Sequence, residues 1–449
     1  MIANSRRAFA LSSVVVLALS SVLATACDSG DEEPARPPSI DAGDASVSDA
    51  GDVDAADARD ASVDAADELV DASPEPITCT VNPCAVEIAA GAGSVCVRLQ
   101  DGTVRCWGGN GAGELGRGPD AAGSANVPAP VVDLADATQI SGSASAPGDT
   151  YCARRANGTA VCWGSNANGV LGRIDDEGIV TESSPTPAPV SGLGSVRAVY
   201  AGYFVSCALL AGNDVACWGA NDAAQIPGQP SDPGSPLSPT TFSLGGVTEQ
   251  LGVSDRGTVA LTSAGLVSWG LRGELLGPQT GVLGREVSTE VASPSEIALS
   301  HVSAIASSKG RACAIANGRV FCWGAGPTAG SDSVYPTYVG VGGRIAHAQT
   351  IAVGPRSACA TLSDGSAWCW GDNSRGQLGV GNTDLQPIPV RVQKLAGTPV
   401  RMVAMEATTC AILSSGAVQC WGQNDRGQLG TGAADALPHL EPQNVVLTP

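Results

Sequence analysis

Residues 410–430 read CAILSSGAVQCWGQNDRGQLG, from Cys410 to Gly430. Two cysteines ten residues apart bracket a turn. A Trp-Gly step follows the second, and a stretch rich in Gly and Asn closes the unit. The unit recurs seven times. Trp107, Trp163, Trp218, Trp323, Trp370 and Trp421 each stand between Cys and Gly, and the fourth copy reads Ser268-Trp269-Gly270. Successive tryptophans lie 56, 55, 51, 54, 47 and 51 residues apart. A period near fifty residues that contains several short strands implies a propeller or a solenoid.

Within each unit the cysteines flank a hairpin. They are ten apart in Cys96/Cys106, Cys152/Cys162, Cys207/Cys217, Cys359/Cys369 and Cys410/Cys420, and nine apart in Cys313/Cys322. Turn signals such as Gln100-Asp101-Gly102 lie between them, and Gly supplies the left-handed residue that a three-residue hairpin loop needs. Counting outward from the loop places Leu99 opposite Thr103 and Cys96 opposite Cys106. A two-residue Asn317-Gly318 loop likewise places Cys313 opposite Cys322. Opposed cysteines of an antiparallel pair lie close enough for a disulfide. The fourth copy has Val259 and Ser268 at these positions, so both cysteines are missing together. Disulfides are expected, with small reduced core cysteines as the alternative.

The tryptophan reads as core between neighbouring sheets rather than as a ligand platform. The segment after it, Asn110–Gly116, Asn166–Gly172, Asn373–Gly379 and Asn424–Gly430, reads as a turn. Small-residue strands precede each hairpin, such as EIAAG at 87–91, and suit the crowded innermost position of a blade.

The pattern resembles the regulator of chromosome condensation repeat family, whose members form seven-bladed β-propellers. The family's Cys-Trp-Gly-x-Asn-x-x-Gly-Gln-Leu-Gly pattern is met almost fully at 359–379 and 410–430, and the resemblance covers about residues 85–449. The His that the family often has two residues before the first cysteine is replaced by Ser94, Thr150, Val205, Arg311, Ser357 and Thr408, and Gly326–Gly330 is a degenerate turn. The resemblance implies an all-β, seven-bladed propeller.

The N-terminal part is of another kind. Arg6 and Arg7 precede an apolar run from Ala8 to Leu23, so residues 1–26 read as a signal peptide. Ala24-Thr25-Ala26-Cys27 resembles a bacterial lipobox, and it also fits ordinary signal cleavage. Cysteine arithmetic favours a lipid on Cys27. Of 15 cysteines, six blade pairs and Cys79/Cys84 leave Cys27 alone. Residues 27–76 are an Asp/Ala-rich linker. The net charge is −20, and residues 28–75 alone carry 16 acidic and 2 basic side chains. Such a segment self-repels and cannot bury a core, so it reads as a disordered tether. Residues 77–449 read as the propeller. An exported, membrane-anchored monomer is expected.

Pro-x-Pro-Val strands such as Pro128–Val132 and Pro387–Arg391 are read as outer strands that open the blade after them. The first blade then lacks one, and Pro442–Leu447 is expected to pair into it and close the ring. Segments 174–189, 225–241 and 277–294 read as long insertions between blades.

No cofactor or metal is expected. The three histidines, His301, His347 and His439, lie far in sequence from any cysteine pair. Gly111–Gly116 matches a dinucleotide fingerprint by letters alone and opens no helix. Asp175-Asp176-Glu177 reads as solvated surface. An acidic chain disfavours nucleic-acid binding. The expected function is non-enzymatic binding of a protein, or another macromolecule, in a bacterial envelope. The resemblance also allows inhibition of a secreted enzyme, since a member of the superfamily inhibits β-lactamases. It allows guanine nucleotide exchange as well, the activity of the founding eukaryotic protein, although export separates this chain from a cytosolic GTPase. An enzyme acting on envelope polysaccharide is a further alternative. Tyr203, Phe204, Tyr335 and Tyr338 are the candidate aromatics of a binding face, and Tyr200 reads as packing.

Overall fold

Each hairpin forms in the register that its turn dictates. In the computed structural model, Leu99 N–H donates to Thr103 O at 2.8 Å, Gly102 sits at φ +86° and Cys96 faces Cys106. Asn317 and Gly318 both take positive φ, and Cys313 faces Cys322. The structure describes residues 75–448, except 122, 144–147, 174–182, 232–236, 271–282, 285–290, 326–332 and 343–346. The signal peptide, Cys27, the linker as far as residue 74, Asp175-Asp176-Glu177 and Gly326–Gly330 lie outside the described residues.

Seven four-stranded antiparallel sheets are each made of consecutive strands. The first runs outward through Ala85–Ala90, Ser94–Leu99, Val104–Gly108 and Ala125–Pro130. The blades span residues 85–130, 137–189, 196–242, 248–297, 302–339, 348–391 and 399–444. Inner strands of adjacent blades touch all the way round, the seventh against the first included. The architecture is an all-β, seven-bladed propeller.

The core lies between blades, and the tryptophans build it. All seven are at most 1% exposed. An indole N–H has no acceptor inside its own sheet, and in five blades it reaches back to the turn of the blade before. Trp107 donates to Gln428 O, Trp163 to Glu114 O, Trp218 to Val170 O, Trp269 to Gln225 O and Trp421 to Gln377 O, at 2.8–2.9 Å. In four of these five turns a Gly two residues after that carbonyl, Gly116, Gly172, Gly379 or Gly430, makes room for the indole. A Cβ on Gly379 or Gly430 would stand 2.8 Å from the next blade's indole nitrogen. The turn asparagine serves as a peg, buried at Asn166, Asn221, Asn373 and Asn424 and partly buried at Asn110. Asn110, Asn166, Asn221, Asn373 and Asn424 each accept the N–H five residues on through Oδ1, at 2.7–3.1 Å.

The expected ring closure is corrected. Pro442–Leu447 does not pair into the first blade. The last strand, Asp435–Asn444, pairs with Val418–Asn424 of its own blade, and the first blade already has an outer strand in Ala125–Pro130. Each Pro-rich strand completes the blade before it rather than opening the next. The same shift corrects the three insertions. They lie within blades, and their C-terminal ends belong to the outer strands Ser184–Pro189, Leu237–Phe242 and Val291–Ile297.

The ring closes with bonds that recur elsewhere. Ala85 N–H donates to Gly416 O at 3.0 Å, as Ala137 does to Gly102 O, Val196 to Gly158 O and Ala348 to Gly318 O. What this seam lacks is a covalent link from the blade before, and the N-terminal segment stands in for it. Thr78 and Thr80 N–H donate to Ser414 O and Ser415 O, at 2.7 and 2.9 Å, and Cys79–Cys84 fixes the loop between them. Val445 and Leu447 add side-chain packing against the first blade.

Every outer strand carries proline: Pro128, Pro187, Pro239, Pro294, Pro336, Pro387 and Pro438 are examples. A proline offers no N–H to an incoming strand, so the seven open edges are blunted against pairing with other chains.

Candidate functional site

A propeller of this topology has two unlike faces. The turns after the inner strands and the long loops before the outer strands share one, here called the loop face. The hairpin turns and the connections between blades share the other, the hairpin face.

The candidate aromatics do not form one patch. Tyr203 and Phe204 lie in the turn after the inner strand Val196–Tyr200, on the loop face near the axis. They are half-buried and packed edge to face, with centroids 4.3 Å apart. Lys309 of blade five places Nζ 5.2 Å from the Tyr203 centroid, so this ring already holds a cation of its own chain. Below that contact Asp255 accepts Gly310 N–H at 3.0 Å, and the group ties blades three, four and five together. Tyr335 and Tyr338 lie instead on the outer strand Ser333–Val339, each about half exposed, with Phe321 behind Tyr338. The expectation of one aromatic face is thereby corrected. Inner-turn and outer-strand residues are separated by the width of a blade, a distance that sequence spacing does not reveal. Tyr200 packs half-buried between blades three and four, as expected.

All fourteen paired cysteines form disulfides. Six close hairpins, with Cα separations of 4.0–4.1 Å, in Cys96–Cys106, Cys152–Cys162, Cys207–Cys217, Cys313–Cys322, Cys359–Cys369 and Cys410–Cys420. The seventh is Cys79–Cys84. In the fourth blade Ser268 Oγ donates to Leu283 O at 2.7 Å, so a polar bond occupies the cysteine position.

Two sets of functional-looking polar residues escaped the sequence reading. The first is buried between blades one and two on the loop face. Asp149 accepts Ala92 N–H (2.6 Å), Gly93 N–H (3.1 Å) and Ser94 Oγ–H (2.6 Å), and Tyr151 OH lies 2.9 Å from Ser94 Oγ. Three donors favour the charged carboxylate, yet burial outweighs them and raises the Asp149 pKa above its ordinary value. Glu114 adds to the rise. Burial also raises the Tyr151 hydroxyl, followed by the Asp149 charge. With Ser94, Asp149 and Tyr151 all at most 3% exposed, no substrate reaches this group, and it acts as an inter-blade clamp.

An acid whose pKa is raised on folding favours the native state while neutral, and that contribution is lost as pH rises through the folded value. Asp149→Asn keeps the shape, removes the charge and leaves one N–H facing an amide. It is expected to be about 1–3 kcal/mol less stable than the parent at pH 4, with the gap narrowing toward pH 8 in urea midpoints. A gap that widens with pH would mean that the carboxylate is held charged.

The second set links inner strands. Gln139 bonds both N–H and C=O of Val199 at 2.8 Å, and Gln250 bonds those of Ile305 at 3.1 and 2.8 Å. Glu87 accepts Ile140 N–H at 3.1 Å and pairs with Arg98 at 2.8 Å. Burial still raises the Glu87 pKa, with Arg98 opposing the rise.

On the hairpin face, blade four contains a groove of about 580 Å³. Its floor includes Leu261, Leu266 and Leu299, and Glu249, Glu296 and His301 stand around it. Among the described residues no helix is long and apolar enough to cross a membrane, and no cluster of three or more His, Cys, Asp or Glu could hold a metal ion.

Comparisons with known proteins fit this geometry. Models of the regulator of chromosome condensation (RCC1) repeat match residues 157–209 and 364–413, and a second model of the same repeat matches 85–114, 349–377 and 407–428. The ultraviolet-B receptor UVR8 of Arabidopsis thaliana is 35% identical over 99 residues, 22% of each chain. The human E3 ubiquitin-protein ligase HERC2 is 31% identical over 133 residues, 24% of this chain and 3% of the ligase. The chain thus spans about a fifth or less of these relatives' length. Among solved structures, Prp20p of Saccharomyces cerevisiae superposes with a TM-score of 0.64 at 20% identity, covering 78% of this chain and 87% of that one. Human WBSCR16 gives a TM-score of 0.60 at 22% identity, covering 72% and 85%. These likenesses are of fold. The matched segments, which fall in blades one, two, three, six and seven, are regulator of chromosome condensation (RCC1) repeats, and the chain that carries them is a seven-bladed propeller.

Proposed function

We propose that the chain is a non-enzymatic propeller that binds another protein outside the cytoplasm of a bacterium, held to a membrane by lipid on Cys27. The observation that carries the export reading is the set of hairpin disulfides, present in every blade but the fourth. Cross-strand disulfides repeated through a core belong to oxidising compartments. The leader at 1–26 and the small residues before Cys27 support the same placement.

The binding reading is supported by the rigidity of the ring and by loops of unequal length on its loop face, the part of a scaffold where recognition concentrates. Relatives of like fold are described as binding proteins: yeast RCC1 (Prp20) bound to Kap60, and Prp20p with binding properties to Gsp1p and histones. Affinity capture from envelope extract, with the full chain as bait, tests the reading. One dominant stoichiometric protein is expected. Retention of envelope glycan with no protein would overturn it in favour of carbohydrate recognition.

A further inference from the structure

Every inner strand opens with a bulge, one extra residue before regular pairing resumes, and a bulge re-aims the side chain it carries. In three blades that side chain bonds to a backbone carbonyl. Thr138 donates to Arg154 O at 3.1 Å, Arg197 to Thr248 O at 2.7 Å and Ser303 to Ile315 O at 3.4 Å. The fourth blade has Glu249 at this position. A carboxylate has no proton to give a carbonyl, so it cannot take the part that Thr, Arg and Ser take. It is exposed and lines the groove on the hairpin face, where Glu296 of the outer strand joins it. Neither glutamate has a hydrogen bond or ion pair to another described residue, and the groove is lined by no lysine or arginine.

We infer that this groove receives a lysine- or arginine-bearing segment of the protein partner. The inference rests on the protein-binding reading above. Two carboxylates with no ion-pair partner among the described residues attract a cation. The apolar floor of Leu261, Leu266 and Leu299 suits the methylene stem of a long basic side chain, which buries its stem while its head stays polar. Blade four also departs from the repeat at both cysteine positions, through Val259 and Ser268, so the groove lies in the least regular of the seven blades.

The test titrates a labelled hexapeptide of alternating leucine and lysine into the full chain at low salt. The linker is itself strongly acidic and attracts the peptide, so the comparison is with Glu249→Gln/Glu296→Gln, which keeps the linker. The parent is expected to bind saturably, and roughly tenfold more tightly than the double variant. A leucine–glutamate peptide is expected not to bind. Equal affinity of parent and double variant, or no binding by the parent, overturns the inference. Both substitutions are on exposed side chains, and an unchanged urea midpoint checks that the fold is intact. Envelope capture with both baits separates the two readings. A partner held by the parent alone supports the groove. A partner held equally by both removes the groove and leaves the protein-binding reading standing. No partner with either bait removes the protein-binding reading, while the titration still decides the chemistry of the groove.

Discussion

Unfolded in urea and kept reduced, the chain is expected not to regain the propeller on dilution. Each ten-residue hairpin closure is worth about 2.5–3 kcal/mol in the chain-entropy model. Six such closures together match or exceed the roughly 5–15 kcal/mol that separates native from unfolded states in a typical protein. The blade cores are built largely from alanine, valine and cystine sulfur, so few alternative contacts replace the lost constraint. Tryptophan fluorescence after dilution, with and without a phosphine reductant, reads the outcome. Recovery of the native spectrum by the reduced chain would show that the hairpins hold without their bridges. The fourth blade makes that a real possibility to exclude, since it keeps its register with Val259 opposite Ser268. The paired substitution Cys359→Ala/Cys369→Ala isolates one closure and is expected to lower stability by about 2–3 kcal/mol.

Trp421→Ala carries the second large effect. The indole is fully buried among Leu378, Val392 and Met402 and donates to Gln377 O. Truncation opens a cavity between the sixth and seventh blades and leaves that carbonyl with Thr409 Oγ–H as its remaining side-chain donor. A loss of about 3–5 kcal/mol is expected from urea midpoints. Gly379→Ala attacks the same contact from the other side. Its Cβ would meet the indole nitrogen at 2.8 Å, from a residue at φ +69° that strains any side chain. If Trp421→Ala fell within about 1 kcal/mol of the parent, the inter-blade tryptophan would not be the core element described above.

Much of this was legible in the sequence because it repeats. Cysteine spacing, turn length and the Trp-Gly step recur at one register, and periodicity exposes whatever recurs. The inter-blade polar bridges recur in space without recurring in sequence: Glu87, Gln139 and Gln250 each bond the backbone of the next inner strand. The position of Glu87 holds Gln139, Gln250, Thr350 and Arg401 in other blades, so no pattern marks it. Asp149 likewise meets Ala92 and Gly93, more than fifty residues away, a separation at which nothing in the local sequence marks the contact. Ring closure was misread for a different reason. A Pro-x-Pro-Val strand shows that an edge exists, but the same letters suit the blade before and the blade after, and only the pairing partner decides. The groove of blade four was invisible because a glutamate on a bulge reads as ordinary surface until its neighbours in space are known.

The seam between the first and seventh blades has a mechanical consequence. Tension applied at the N-terminal end of the described chain enters the ring where no peptide bond crosses from one blade to the next. It meets the bonds from Thr78 and Thr80 to Ser414 and Ser415 before it reaches the inner strand. Cys79–Cys84 keeps the segment behind them from paying out its full contour length. Force is therefore shared between the first and last blades from the outset, and the ring yields at that clasp before any single blade is peeled away.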